Sequence, residues 1–199
     1  MSRQRASPKG TAKRDEILDA ALRLIGEQGY AGATVRAIAA AVDLSSAGLL
    51  HHFGTKEDLY SAILERHDMF VEAYVTNDVG ASASLEQALQ AVLERNAQVP
   101  GLIELYVRFS IEGARPEHPA HAYLAARLEE ARHSYEFELQ NMVARGQLPL
   151  ATDAAASAPV LLTFVEGVQI AWLRDPRVDM GAQLAVFFDL LGRPGQASG

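Results

Sequence analysis

The first part of the chain carries apolar residues at helical spacing, in runs separated by polar or glycine-containing breaks. Between Thr11 and Gly29 the apolar positions recur three and four apart, which predicts one helix built on Ile17, Leu18, Ala21, Leu22, Leu24 and Ile25. Thr34 is placed to cap a short second helix, and Ser45 a third that runs through His52. The second helix would bury Val35, Ile38, Ala39 and Val42.

The same periodicity continues to the end of the chain. Thr55 begins a long helix, with Asp58 as its partner in a capping box, where Glu or Gln is more usual. Further helices are predicted over 85–98, 102–114, 119–144, 153–174 and 180–191, most of them ended by proline or glycine. No alternation with a period of two is long enough for a strand, and no internal repeat is present. The fold class is therefore all-α.

The two short helices with a tight turn between them have helix-turn-helix proportions. The second helix of such a pair enters the DNA major groove, so its outward positions must be small or polar. Residues 45–48 (Ser-Ser-Ala-Gly) meet that requirement and let the positive helix N-terminus approach phosphates. Leu49 and Phe53 would hold this helix on the core.

These residues, taken together, resemble the TetR family of bacterial transcriptional regulators. The resemblance rests on Thr11, Ile17-Leu18, Ala20-Ala21, Gly29-Tyr30, Thr34-Val35-Arg36, Ile38-Ala39, Leu44-Ser45, Leu49-Leu50-His51-His52-Phe53, Lys56-Glu57 and Leu59. It covers about the first fifty to sixty residues densely, and the remainder only in length and helix content. It implies an N-terminal three-helix head joined by a long helix to a C-terminal helical ligand-binding and dimerisation domain.

The resemblance also implies roles for individual residues. Thr34 and Arg36 correspond to phosphate contacts at the start of the second helix, and Lys56 to the phosphate-binding lysine that opens the fourth. The positions on the recognition helix are Ser45, Ser46, Gly48, Leu50 and His51. Leu50 stands where the family often has tyrosine, and Ala47 where it often has glycine. Leu50 cannot donate a hydrogen bond to phosphate, so we expect apolar contact with sugar or a thymine methyl there, and sequence readout helped by DNA shape, water and the N-terminal arm.

For the rest of the chain the resemblance implies a homodimer formed by the last two helices. Residues 159–173 and 180–191 are apolar on more than one face, as helices buried on two sides must be. The alternative is that both helices only fill a monomer core.

A small-molecule pocket is expected among the middle helices, apolar with a few polar groups. The candidate ligand-binding residues are Tyr106, Arg108, Phe109, Glu112, Phe164, Gln169 and Trp172. The alternative for each is core packing for the aromatic residues and solvent exposure for the charged ones.

Charge distribution separates the two parts of the chain. The net charge is −7, yet up to Lys56 eight basic residues face five acidic ones, and the remainder has ten basic and twenty acidic residues. Positive charge is thus placed where phosphate binding needs it. We therefore expect a flexible basic arm over 1–10, a DNA-binding domain over 11–57 and a ligand-binding and dimerisation domain over 58–199.

Other functional classes have less support. The chain has no cysteine, and no secretory signal or long uninterrupted apolar run is visible, so a cytoplasmic protein without membrane attachment is expected. His118 and His121 could form half a metal site, but no matching ligand pair is evident. No motif indicates an enzyme or a cofactor.

The interpretation that remains is a ligand-responsive regulator, most simply a repressor, bound as a homodimer to a pseudo-palindromic operator and released by a small-molecule effector. Two alternatives stay open. One is a helical carrier whose head no longer binds DNA. The other is an activator or a regulator that needs no ligand.

Overall fold

The computed structural model describes residues 8–80 and 83–192, and every regular element in those ranges is helical. The helices are α1 Pro8–Gly32, α2 Val35–Ala41, α3 Ser46–His51, α4 Lys56–Tyr74, α5 Leu85–Ala97, α6 Pro100–Gly113, α7 His121–Ala144, α8 Ala154–Arg174 and α9 Met180–Gly192. A single π-helical turn, Val75–Gly80, follows α4. The predicted all-α class is confirmed.

Most predicted helix ends agree with the structure. Gly29 has φ 70° and ψ 178°, so it interrupts α1 where the sequence predicted a stop. The first helix begins earlier than expected, at Pro8, so residues 8–10 of the predicted arm are helical; residues 1–7 lie outside the described residues. The π-helical turn was not predicted.

The chain divides into two compact units. The first contains the described residues up to Val71 together with Gln98–His121, and the second contains Glu72–Ala97 and Ala122 onward. The boundary that the sequence suggested, between residues 57 and 58, falls inside the first unit. As a division by function it stays a prediction.

The first unit is built around α1. Its core takes Ile17, Ala21 and Ile25 from α1, with Ile38, Leu49, Leu59, Ile63, Leu105 and Phe109 from α2, α3, α4 and α6. Helix α6 approaches α1 closely at Gly101, where an added Cβ would stand 2.9 Å from the Ile25 carbonyl oxygen and 2.9 Å from the Tyr30 nitrogen. The absence of a side chain at this position lets the two backbones touch.

The second unit has its own apolar core. Side chains from α5, α7, α8 and α9 form it, including Leu89, Leu93, Leu139, Met142, Ala158, Leu161, Val165, Leu184 and Phe188. Helix α8 has the length and mean hydropathy, 1.4, of a membrane span by those two criteria alone. Its fully buried Ala158 and Leu161 belong to this core, so we describe it as a core helix.

Candidate nucleic-acid interface

The turn between α2 and α3 is fixed by hydrogen bonds at both of its ends. At the end of α2, the Leu44 N–H donates to the Ala39 carbonyl at 2.9 Å and the Asp43 N–H to the Ala40 carbonyl at 3.4 Å. This is the bonding of a Schellman motif, and Asp43 takes its left-handed position with φ 54°. The chain therefore reverses within two residues and passes directly into α3.

Both predicted N-caps are formed. Thr34 Oγ1 accepts a hydrogen bond from the Ala37 N–H at 3.1 Å, and Ser45 Oγ accepts one from the Gly48 N–H at 3.0 Å. The hydroxyl lone pairs thus satisfy N–H groups at the helix starts that have no partner within the helix. Each hydroxyl keeps its own hydrogen to donate.

Helix α3 lies on the core by one face only. Leu49 is fully buried and Phe53, just beyond the helix, is nearly so, as the sequence predicted. Ser45, Ser46, Ala47 and His51 are exposed, and Gly48 and Leu50 are half-buried. The outward surface is therefore short and mostly polar.

Two basic residues of α1 donate hydrogen bonds to backbone carbonyls on either side of the turn. Lys13 Nζ donates to the Val42 carbonyl at 2.8 Å, and Arg14 Nη1 donates to the His52 carbonyl at 3.0 Å. The Arg14 guanidinium also lies 4.2 Å from the centre of the Phe53 ring. These residues tie α1 to the ends of α2 and α3. The sequence alone shows these residues only as positive charge, since their partners lie 29 and 38 positions away.

Helix α4 begins with the predicted capping box. The Thr55 N–H donates to Asp58 Oδ2 at 3.1 Å, and the Asp58 N–H donates to Thr55 Oγ1 at 3.0 Å. Aspartate therefore serves in place of the usual glutamate. Lys56 stands exposed in this first turn, and Arg36 is exposed in the first turn of α2.

A cluster of aromatic and cationic side chains lies behind Lys56. The Lys56 ammonium is 5.1 Å from the centre of the Tyr60 ring, and the centres of the Tyr60 and Tyr30 rings are 6.2 Å apart. On the other side, the Arg108 guanidinium is 5.5 Å from the centre of the Tyr30 ring. Burial raises the pKa of both phenols above the ordinary value of 10.0, with the charge of the other phenol adding to the shift at Tyr30. Both stay neutral hydrogen-bonding groups at neutral pH.

Four of the sequence-predicted ligand residues lie on α6 in the first unit. Phe109, 3% exposed, packs edge-on against Tyr60 with ring centres 6.0 Å apart. Arg108 is exposed and pairs with Glu104 at 2.8 Å, Glu112 is also exposed, and Tyr106 is half-buried. Phe109 therefore packs in the core of the first unit, which was the alternative to contact with a ligand.

The other three lie on α8 in the second unit. Phe164 stacks on Phe187 with ring centres 5.1 Å apart. The Gln169 amide accepts from Asn96 at 2.7 Å and donates to the Val165 carbonyl at 3.0 Å. Trp172 lines a cavity. Contact of any of the seven residues with a ligand stays a prediction.

The four histidines at positions 51, 52, 118 and 121 contact protein groups rather than one another across a metal site. His51 is exposed and His52 half-buried, with ring centres 6.2 Å apart. His118 Nδ1 accepts from the Ala120 N–H at 3.2 Å, and His121 Nδ1 lies 2.9 Å from the Gly113 carbonyl oxygen. Across the part of the chain that the structure describes, no three His, Asp or Glu side chains are grouped as a metal site would require.

The capped α2–turn–α3 unit and its exposed polar face define a helix-turn-helix protein with a separate helical unit. Residues 17–63 match the family described as bacterial regulatory proteins, tetR family. The HTH-type transcriptional repressor AcnR of Corynebacterium glutamicum is 40% identical over 89 residues, which are 45% of this chain and 45% of that protein. The chain thus spans less than half the length of this curated relative. Its helix-turn-helix region is thus similar to that of TetR-family regulators.

The solved structures that resemble the chain extend the likeness to the whole fold. A TetR transcription regulator from Haloarcula marismortui has a TM-score of 0.70 at 20% identity and covers 92% of this chain and 100% of its own. The regulator FadR of Bacillus subtilis, solved with stearoyl-CoA, has a TM-score of 0.67 at 18% identity over 89% of this chain and 97% of its own. At these identities the likeness establishes the fold.

Proposed function

We propose that the protein is a ligand-responsive transcriptional regulator, a repressor that binds a pseudo-palindromic operator as a homodimer and is released by a small-molecule effector. The observation that carries the proposal is α3: a helix with both its cap and its buried anchor in place and an outward face of small polar residues. A repressor relative that is 40% identical over 89 residues supports it. The regulator has no enzymatic step and acts in the cytoplasm, where bacterial operators are.

In this proposal Thr34, Arg36 and Lys56 bind phosphates, and Ser45, Ser46, Gly48, Leu50 and His51 face the groove. Arg36 and Lys56 are exposed and each stands in the first turn of its helix, where the helix dipole adds to their positive charge. The Thr34 hydroxyl hydrogen is available for a phosphate oxygen, since the hydrogen bond from the Ala37 N–H uses only a lone pair of the oxygen. Phosphate contacts place the protein, and base contacts select the sequence.

The homodimer is proposed to form through α8 and α9. Val160 on α8 and Val186 and Leu190 on α9 each expose more than half of their surface in the monomer. Apolar side chains at this exposure on neighbouring helices favour burial against a second copy. Two heads then reach half-sites about 34–36 Å apart, or a multiple of that spacing.

A selection and gel-shift experiment tests the DNA-binding part. DNA fragments selected from a random pool by the purified protein should share a palindromic sequence, and affinity for that sequence should fall with salt. Replacing Lys56 by alanine should weaken binding to all sequences and lower the slope of log K against log salt by about 0.9 for each lost phosphate contact. Replacing Ser46 should instead change which sequence is preferred.

The matched control is Arg23→Ala, which removes an exposed positive charge from α1 outside the proposed interface. It should leave the salt slope almost unchanged. Absence of a specific complex at low salt, or an affinity independent of salt, would remove the DNA-binding claim. A promoter–reporter assay with and without the protein separates repressor from activator.

A further inference from the structure

Two positively charged side chains of α1 end on the helix-turn-helix pair instead of in solvent. Val42 is the C-cap of α2, and His52 is the C-cap of α3. Lys13 Nζ lies 2.8 Å from the Val42 carbonyl oxygen, and Arg14 Nη1 lies 3.0 Å from the His52 carbonyl oxygen. Carbonyl groups at the end of a helix have no partner within it and carry the negative end of the helix dipole. Each cation therefore binds the end of one helix of the pair.

The exposure of these two side chains differs from that of the cations proposed to bind phosphate. Lys13 and Arg14 are half-buried, whereas Arg36 and Lys56 are exposed. Lys13 is also paired with Glu16 at 3.0 Å. To reach a phosphate, Lys13 and Arg14 would have to leave protein groups that they already bind. The positive charge of the head is therefore of two kinds, one that faces outward and one that is used inside the protein.

Helix α3 is too short to hold its own direction. It has six residues, Ser46–His51, and Leu49 is its buried residue. So short a helix is unstable by itself, and its direction depends on the contacts at its two ends. The turn from α2 holds the first end. The second end is held through Phe53, which is buried, and through the His52 carbonyl.

Arg14 makes two contacts with this second end. Its Nη1 donates to the His52 carbonyl, and its guanidinium lies 4.2 Å from the centre of the Phe53 ring, whose face attracts positive charge. At 1.5 Å for each residue α3 is about 9 Å long, so a shift of about 1 Å at one end would tilt it by about 6°. Such a tilt moves every outward side chain of α3 relative to the surface that it contacts.

We propose that Lys13 and Arg14 are positioning residues for sequence recognition. They hold the C-terminal ends of α2 and α3 and thereby fix the direction of the outward face of α3, and they bind no phosphate. The holding of the two helices is a property of the folded head alone. Its effect on DNA recognition rests on the proposed function above.

Affinities for two DNA fragments separate positioning from phosphate contact. The full chain is titrated with its selected operator and with a fragment of equal length that lacks the operator, at several salt concentrations. Arg14→Met and Lys13→Met keep an aliphatic stem and remove the charge and its donors. Because base contacts form only on the operator, each should lower operator affinity by about tenfold and leave the other affinity and the salt slope almost unchanged. Lys56→Ala should instead weaken both complexes and lower the slope.

The matched control is Arg23→Met, the same replacement at an exposed position of α1. It should leave the ratio of the two affinities and the slope unchanged. Arg14→Lys keeps a charged donor for the His52 carbonyl and should recover part of the ratio that Arg14→Met loses. A smaller folded fraction lowers both affinities together and leaves their ratio the same. An unchanged ratio in Arg14→Met, a slope lower by about 0.9, or no recovery in Arg14→Lys overturns the proposal.

Hydrogen exchange without DNA tests the holding of α3 by itself. The amides of residues 52–54 donate to carbonyls within α3. They should exchange about three- to tenfold faster in Arg14→Met, which lacks the charge-assisted bond at this end, and at the unchanged rate in Arg23→Met. Faster exchange in a protein that forms no operator complex keeps the holding role and removes the proposed function. A specific complex with the same exchange and the same affinity ratio in Arg14→Met keeps the proposed function and overturns this proposal.

Discussion

Among the described residues other than glycine, Asp43 alone takes a positive φ, of 54°. It lies in the turn that sets the direction of α3. A Cβ at this conformation is strained, less so for aspartate than for most residues. Replacing Asp43 by glycine should raise the free energy of unfolding by about 0.5–1 kcal/mol. Urea denaturation measures this change.

Asp43→Ala is the contrasting variant. Alanine has the Cβ of aspartate without its polar side chain, so it tolerates the left-handed region less well and should lower stability. If glycine and alanine shift the urea midpoint in the same direction, backbone strain at residue 43 is not what the substitution changes.

At the scale of elements, the contact of α6 with α1 depends on Gly101. A Cβ there would stand 2.9 Å from backbone atoms of Ile25 and Tyr30, which cannot move aside as a flexible side chain can. Gly101→Ala should therefore lower the free energy of unfolding by about 1–3 kcal/mol, as overpacking does. Thermal or urea denaturation, followed by the far-ultraviolet circular dichroism of the helices, measures this free energy.

Gly26 offers a matched control on α1. It is exposed, and an added Cβ would meet only the Val99 side chain at 3.9 Å. Gly26→Ala should therefore be neutral or stabilise the helix by about 0.5–1 kcal/mol. A Gly101→Ala protein as stable as Gly26→Ala would contradict the close backbone contact.

The Tyr30–Tyr60 pair joins α1 to α4 and gives these elements a pH dependence. Because burial raises the pKa of both phenols in the folded chain, the unfolded chain loses these protons first as pH rises. Their contribution to stability is complete below the unfolded value of 10.0 and is lost as pH rises through the higher folded values.

Unfolding measured between about pH 8 and pH 11 should therefore show stability falling at the alkaline end. The double variant Tyr30→Phe, Tyr60→Phe should flatten that fall, whereas Tyr74→Phe, which leaves Tyr30 and Tyr60 in place, should keep it. An unchanged slope in the double variant would show that these phenols are not its source.

At the scale of the whole molecule, the proposed dimer depends on the exposed apolar side chains of α8 and α9. Replacing Val186 or Leu190, each 57% exposed, by glutamate should shift the protein to monomers, because a dimer would bury the new charge. Light scattering or sedimentation measures the mass. Operator affinity should fall with it, since a monomer reaches one half-site.

Leu150→Glu is the control for that shift. Leu150 is 90% exposed and precedes α8, so glutamate there should leave the mass unchanged. A monomer in all three variants would point to general destabilisation, and a dimer in all three would remove this interface from the proposal.

The sequence by itself determined the helices and their caps, because these depend on interactions within a few residues. Thr34, Ser45 and the Thr55–Asp58 pair cap helices from positions that the sequence identifies, and apolar spacing identified Leu49 and Phe53 as the anchors of α3. The family resemblance of the head followed from the same local positions.

Tertiary structure alone decided which distant residues meet. It placed α6 with the head, bonded Arg14 to the His52 carbonyl, and set Lys56 over the Tyr60 ring, which lies beside Tyr30. It also put Phe109 in a core and Trp172 at a cavity that spacing along the chain does not reveal. The physical reason is that such contacts join residues far apart in sequence, where no periodicity or capping rule relates one partner to the other.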